Sequence, residues 1–172
     1  MLKRPSQSDY PEYYQTYVGL VPEGNMEDLL KEQMKTTQEM LSNVSDQQAG
    51  YRYAEGKWSL KEVLGHMIDT ERIMSYRLLR IARGDQTPLA GFEENFFVNH
   101  AGFDLRSMGD LLDEYLAVRQ STIALIRGLP GEAWSRKGIA NENVTSASAL
   151  AYIIAGHELH HQKIIKERYL VQ

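Results

Sequence analysis

The stretch Ser59-Leu60-Lys61-Glu62-Val63-Leu64-Gly65-His66-Met67-Ile68-Asp69-Thr70-Glu71-Arg72 decides how this chain folds. Ser59 followed three residues later by Glu62 is a capping box. The serine hydroxyl meets a free amide of the first helical turn, and the glutamate reaches back to the amide of the cap. Leu60, Val63, Leu64, Met67, Met74, Leu78 and Ile81 then supply one face of a helix that Gly84 is placed to end. Trp58, just ahead of the cap, reads as a packing staple.

The same period extends in both directions. Upstream, Met26, Leu29, Leu30, Gln33, Thr37, Met40, Leu41 and Val44 predict a first long helix, capped by Asn25 and running to about Val44. Downstream, Met108, Leu111, Leu112, Tyr115, Thr122 and Ile126 predict a third over about Ser107 to Arg127, stopped by Gly128 and Pro130. A fourth begins near Thr145 or Ser146 and continues to about Arg168. No β-alternation is read anywhere, so the expected class is all-α: a four-helix bundle with a long crossover between the second and third helices. That crossover spans roughly Asp85 to Arg106, with a short helical turn around Glu93 to Asn99. Connections this long are uncommon unless they carry function or cover a site. Residues 1–172 are read as a single helical domain, with residues 1–24 as an N-terminal arm. In the arm Tyr10, Tyr13, Tyr14 and Tyr17 follow an i, i+3, i+4, i+7 pattern, suited to core or subunit packing and, less often, to a substrate lid.

Composition narrows the function. The 172 residues are 42% hydrophobic and 24% charged, enough for a real core, with a formal net charge of −4. That charge offers no basic footprint for nucleic acid and no polybasic membrane patch. No apolar run approaches the ~18 residues that span a bilayer, and Met1 to Pro5 lacks a secretory signature. Cysteine is absent, which removes disulfides, thiolate ligands and a cysteine nucleophile and fits a cytoplasmic protein. Of five histidines, His157, His160 and His161 fall within five consecutive positions.

His157 and His161 lie about 40° apart on one helix face, a turn apart along the axis. Leu150, Ile153, Ile154 and Ile164 share that face, so both imidazoles sit in a stripe directed at the core. Packed core histidines are one reading. The other is a divalent metal, which satisfies both rings through a standard chelating pair. The string His157-Glu158-Leu159-His160-His161 also matches the H-E-x-x-H zincin motif. That match is set aside, because Glu167 is the sole carboxylate after His161 and sits too far along the same helix to be a third ligand. A third ligand is expected upstream. His66 is the first candidate, and His100, in the crossover, competes with it. His160, about 60° off His157, suits a supporting or interhelical hydrogen bond, and Asp69 could orient a ligand histidine. Three imidazoles leave open positions on a metal, the pattern of a catalytic site, and suit Zn²⁺ or Ni²⁺. Glu71 falls in the apolar stripe and is expected to pair with an arginine such as Arg72, Arg77 or Arg80. The glycines of Gly65-His66 and Gly156-His157 let a neighbour approach each histidine closely, or are merely tolerated.

At Gly56-Lys57-Trp58-Ser59, Leu64 to Arg72, and Gly156 to His161, the chain resembles the DinB/YfiT-like superfamily of four-helix-bundle metalloproteins. The likeness extends over the chain beyond the arm. The resemblance implies His66, His157 and His161 as the metal ligands; His160, Asp69 and Glu158 are the candidates in their vicinity to support them. It also implies a homodimer, and either a thiol S-transferase using a low-molecular-weight thiol such as bacillithiol or mycothiol, or a metal-dependent hydrolase. The leading expectation is therefore a thiol or water activated at a three-histidine site for attack on a small electrophilic substrate. The alternatives are a hydrolase of a small molecule and a non-catalytic metal-binding or stress-associated helical module.

Overall fold

The computed structural model describes residues 2–170, which leaves Met1 of the expected arm, Val171 and Gln172 outside it. Among the described residues there are seven α-helices. They are α1 (Gln15–Leu20), α2 (Met26–Leu41), α3 (Asp46–Ala49), α4 (Leu60–Ala82), α5 (Glu94–Ala101), α6 (Met108–Arg127) and α7 (Ala147–Ile164). The four long ones form the bundle, and each starts at a side chain that accepts from an amide of its first turn. Asn25 accepts from Asp28 at 3.1 Å, Ser59 from Glu62 at 3.1 Å, Ser107 from Asp110 at 3.0 Å and Ser146 from Ala149 at 3.1 Å. Each cap is worth about 1 kcal/mol. The box at α4 closes reciprocally, with the Ser59 amide donating to Glu62 Oε2 at 2.8 Å.

Both α4 and α2 pack against α6 and α7. Consecutive long helices α2 and α4 therefore face each other across the diagonal, joined by α3 and its flanking loops. The apolar side chains form two clusters. One holds Met26 and Leu30 of α2, Met74 to Ala82 of α4, Ile123 and Ile126 of α6, and Ala147 to Ala155 of α7. The other holds Leu41, Leu60 to Ile68, Met108 to Tyr115, and Ile165. Between them every long helix contributes buried polar residues: Gln33 and Thr37, Thr70 and Glu71, Arg119 and Thr122, and His157, Glu158, His161 and Gln162. The bundle is thus interrupted at mid-height by a polar layer, and that layer needs internal partners to be stable.

Two expectations are refined. A β-hairpin lies between α6 and α7, pairing β1 (Lys137–Ala140) with β2 (Asn143–Ser146) in the register Ile139↔Val144. Its two-residue turn, Asn141-Glu142, has φ of 50° and 63°, the left-handed pair that matches strand twist in a tight hairpin. Leu89 of the crossover joins its edge, donating its amide to the Ile139 carbonyl at 2.9 Å. The last helix also changes pitch, with a π-turn over Ile165–Tyr169 after α7.

The arm is tied to itself by Arg4 and packs on the bundle through α1. Arg4 donates to the carbonyls of Val18 at 3.0 Å and Val21 at 2.5 Å, and α1 lies along α7. The contact is close enough that a Cβ on Gly156 would stand 2.0 Å from the Tyr17 carbonyl oxygen. Gly65 gives the same access on α4, where a Cβ would meet the Phe103 ring at 2.4 Å. Among the described residues no helix is long and apolar enough to cross a membrane.

Candidate metal centre

Because α4 and α7 are neighbours, the histidines they carry meet in the polar layer. His66 Nε2 lies 3.0 Å from His157 Nε2, and His161 Nε2 lies 3.1 Å from the same atom. All three rings are buried, at 3%, 6% and 7% exposure, and a ligand atom from each falls within 4.8 Å of the others. Burial dominates their titration. It pushes His66 down to about 4 and holds His157 and His161 well below the usual imidazole range, with nearby imidazoles adding to the effect: His161 and His66 at His157, His66 at His161, and His160 in each case. At neutral pH all three are uncharged, the state in which imidazole ligates a metal.

The donor set fits a divalent cation. Three neutral imidazoles whose Nε2 atoms point at one another cannot all be paired among themselves, since each Nε2 either donates one proton or offers one lone pair. A cation at the centre accepts all three lone pairs. Outward, His66 Nδ1 is 3.4 Å from Thr70 Oγ1, and His161 Nδ1 is buried without a hydrogen-bond partner among the described residues. Trp58 stacks at a tilt against His66, with ring centres 4.8 Å apart, and Tyr17 of the arm meets His157 edge-on at 5.3 Å. The residue ahead of the α4 cap and the tyrosine arm therefore both wall the cluster. The arm is open to a covering role in the sequence, as the less frequent of its readings, whereas Trp58 reads there only as a packing staple.

Of the other named residues, His160 is half-buried at the rim, its ring 5.4 Å from Tyr17 and 5.1 Å from His161. His100 lies outside the cluster, exposed near the end of α5, with Nδ1 2.7 Å from the Phe96 carbonyl. Asp69 points to Arg72 at 3.8 Å and makes no hydrogen bond to an imidazole among the described residues. Glu158 turns away from the rings into a buried network. Its Oε1 accepts from Thr37 at 2.5 Å, Tyr115 at 2.7 Å and Gln162 at 3.2 Å, and its Oε2 accepts from Arg119 at 2.9 Å.

Arg119 is the centre of that network. It also donates to Glu71 Oε2 at 2.7 and 3.1 Å, and to Gln33 Oε1 at 3.0 Å. The expected ion pair of Glu71 is present, but its partner is Arg119 of α6 rather than Arg72, Arg77 or Arg80. Those three are near in sequence, but a core-facing carboxylate is answered from the helix packed opposite. Burial raises Glu71, with Arg119 opposing the shift. One guanidinium shared by two carboxylates ties α4, α6 and α7 together directly behind the histidines, and Gln33 joins α2 to the same group.

Two partly open pockets reach the cluster. One, of about 190 Å³, touches His157 and is walled by Tyr14, Tyr17, Arg77, Phe92 and Glu94 among others. A second, of about 270 Å³, touches His161 and is walled by Trp58, Val63 and Tyr169. A larger open groove of about 990 Å³, beside Tyr51 and Leu170, contains no histidine.

Known proteins share this fold. Residues 29–165 match the sequence model of the DinB superfamily. No curated protein sequence matches the chain. Among solved structures, YfiT from Bacillus subtilis, described as a probable metal-dependent hydrolase with an unusual four-helix bundle topology, superposes with a TM-score of 0.75. It is 17% identical over 96% of this chain and 90% of its own. A mycothiol-dependent maleylpyruvate isomerase superposes with a TM-score of 0.69 at 15% identity, over 85% of this chain. This chain spans 61% of the isomerase's length. At these identities the likeness establishes a shared fold.

Proposed function

The chain belongs to the DinB superfamily, and from that premise we propose that it is a divalent-metal-dependent enzyme whose metal is held by His66, His157 and His161. The observation that carries this reading is the convergence of three buried, uncharged Nε2 atoms within 4.8 Å. A Zn²⁺ or Ni²⁺ ion there supplies Lewis acidity, lowering the pKa of a ligated thiol or water. The protein's own residues do the rest. Arg119, Glu71 and Glu158 lock the helices that carry the histidines, so the rings need little reorganisation. Trp58 and Tyr17 exclude bulk water from the cluster.

Two cavities, at His157 and at His161, support a two-substrate reaction: a low-molecular-weight thiol cosubstrate on one side and a small electrophile on the other. Thiol S-transfer is the preferred activity. Hydrolysis of a small molecule is the second reading, favoured by the fold shared with YfiT. A homodimer in the cytoplasm completes the proposal, and sedimentation of the purified protein measures the first part of it. The chemistry is tested by substituting cobalt and titrating with 2-mercaptoethanol. A shift of the cobalt d–d bands shows an open position that a thiol reaches. Unchanged bands in a cobalt-loaded protein would exclude thiol activation.

A further inference from the structure

Among the described residues the bundle buries two arginines, and only Arg119 has a carboxylate within ion-pair distance. Arg119 has two carboxylates on it. Arg77, 3% exposed on α4, has none within 4.0 Å among the described residues. Its Nη2 donates to the Ala90 carbonyl at 2.6 Å and its Nη1 faces Met74 Sδ at 3.6 Å, while the Phe92 ring centre lies 5.9 Å from its carbon. A guanidinium carries more N–H donors than these bonds use. Holding such a cation inside a protein without a counter-charge costs several kcal/mol, and replacement by an apolar side chain is often neutral or stabilising. Its neutral neighbours, the Tyr14 hydroxyl among them, hold the guanidinium but supply no counter-charge. The cavity can admit one: Arg77 forms part of the same 190 Å³ wall as His157.

We propose that Arg77 is the anion-recognition residue of this site, and that the His157 cavity takes a small monocarboxylate with its carboxylate on the guanidinium and its reactive end toward the histidines. As a statement about substrate this rests on the metal-centre reading above. A planar guanidinium matches a carboxylate in two parallel hydrogen bonds. One cation balances one negative charge, so a doubly charged phosphate would bring an uncompensated charge into the cavity. Glu94 does not itself neutralise Arg77, since it lies beyond ion-pair distance, and burial raises its carboxyl above the usual range, with Glu93 adding to the shift. The volume, on the order of six water molecules, limits the ligand to a compact acid.

The test is calorimetric titration of the full-length protein as purified, with metal content measured in the same samples. The probes are propionate and butyrate, their neutral amides, and inorganic phosphate. We expect the acids to bind about tenfold or more tightly than the amides and phosphate. Arg77→Met should weaken the acids by about the same factor without lowering metal content, and Arg77→Lys should fall between. Equal binding of acid and amide by the wild type overturns the proposal without recourse to any variant. So does tighter binding of phosphate, or an Arg77→Met protein that binds the acids as the wild type does, because the anion would then rest on the metal alone. Missing metal in the wild type counts against the metal centre, and the acid-against-amide comparison still decides the role of Arg77.

Discussion

His66 and His157 are separated by 90 residues of chain and their Nε2 atoms lie 3.0 Å apart, in a layer where each ring is stripped of solvent. The contact is made by the packing of α4 on α7, and it places two uncharged lone-pair donors where a hydrocarbon contact would be more stable in the absence of a ligand.

The Arg119 network behind the histidines is the stiffest part of that arrangement. Arg119→Ala leaves Glu71 and Glu158 buried without their cation, and should destabilise the protein by about 3–5 kcal/mol in urea denaturation. Glu71→Gln keeps the pairing with Glu158 and should cost distinctly less. Equal, small effects would show that the network contributes little.

Gly156 is the point at which the arm touches the metal-bearing helix. Gly156→Ala places a methyl group 2.0 Å from the Tyr17 carbonyl, and backbone has to move. A loss of about 1–3 kcal/mol is expected, together with faster amide exchange across residues 10–20 and a weaker wall over His157. Unchanged exchange there would place the arm elsewhere in solution.

Acid should weaken the metal-free protein through the same three histidines. Their folded pKa values are depressed, to about 4 for His66, so between the unfolded value near 6.5 and that point the unfolded chain binds more protons. Their contribution is complete above about pH 6.5 and is lost as the pH falls toward 4, by up to about 1.4 kcal/mol per pH unit for each histidine. Glu71, Asp69 and Glu94, all raised by burial, act in the opposite direction and begin to offset the loss at the acid end. Melting temperatures in chelator from pH 7.5 to 5 check this. A His66→Gln protein should show a shallower decline.

The parts of the fold legible in the sequence were those written locally. Asn25 and Ser59 are read as caps, and the starts near Ser107 and Ser146 are found, because a cap needs only the next three residues; His157 and His161 are paired by helical pitch alone. Long-range partners were not legible. Arg119 falls in the apolar stripe of α6, four residues after Tyr115 and three before Thr122, which marks it as core-facing, but only the folded bundle brings it to Glu71, 48 positions away, and to Glu158, 39 positions away. The hairpin escaped notice because its strands are four residues each and its turn is Asn-Glu, without the glycine that usually marks such a turn. Trp58 stands at the start of α4 by its sequence position, but its contact with His66 depends on how the chain ahead of the cap folds back, which the sequence does not write locally.

The most direct measurement is metal stoichiometry by plasma mass spectrometry on protein purified without a histidine tag, for the wild type and for His66→Ala, His157→Ala and His161→Ala. The account predicts about one zinc or nickel per chain in the wild type and near-complete loss in each variant, with a lower melting temperature. A wild type without stoichiometric metal, together with a His157→Ala protein unchanged in metal content and melting temperature, would contradict it.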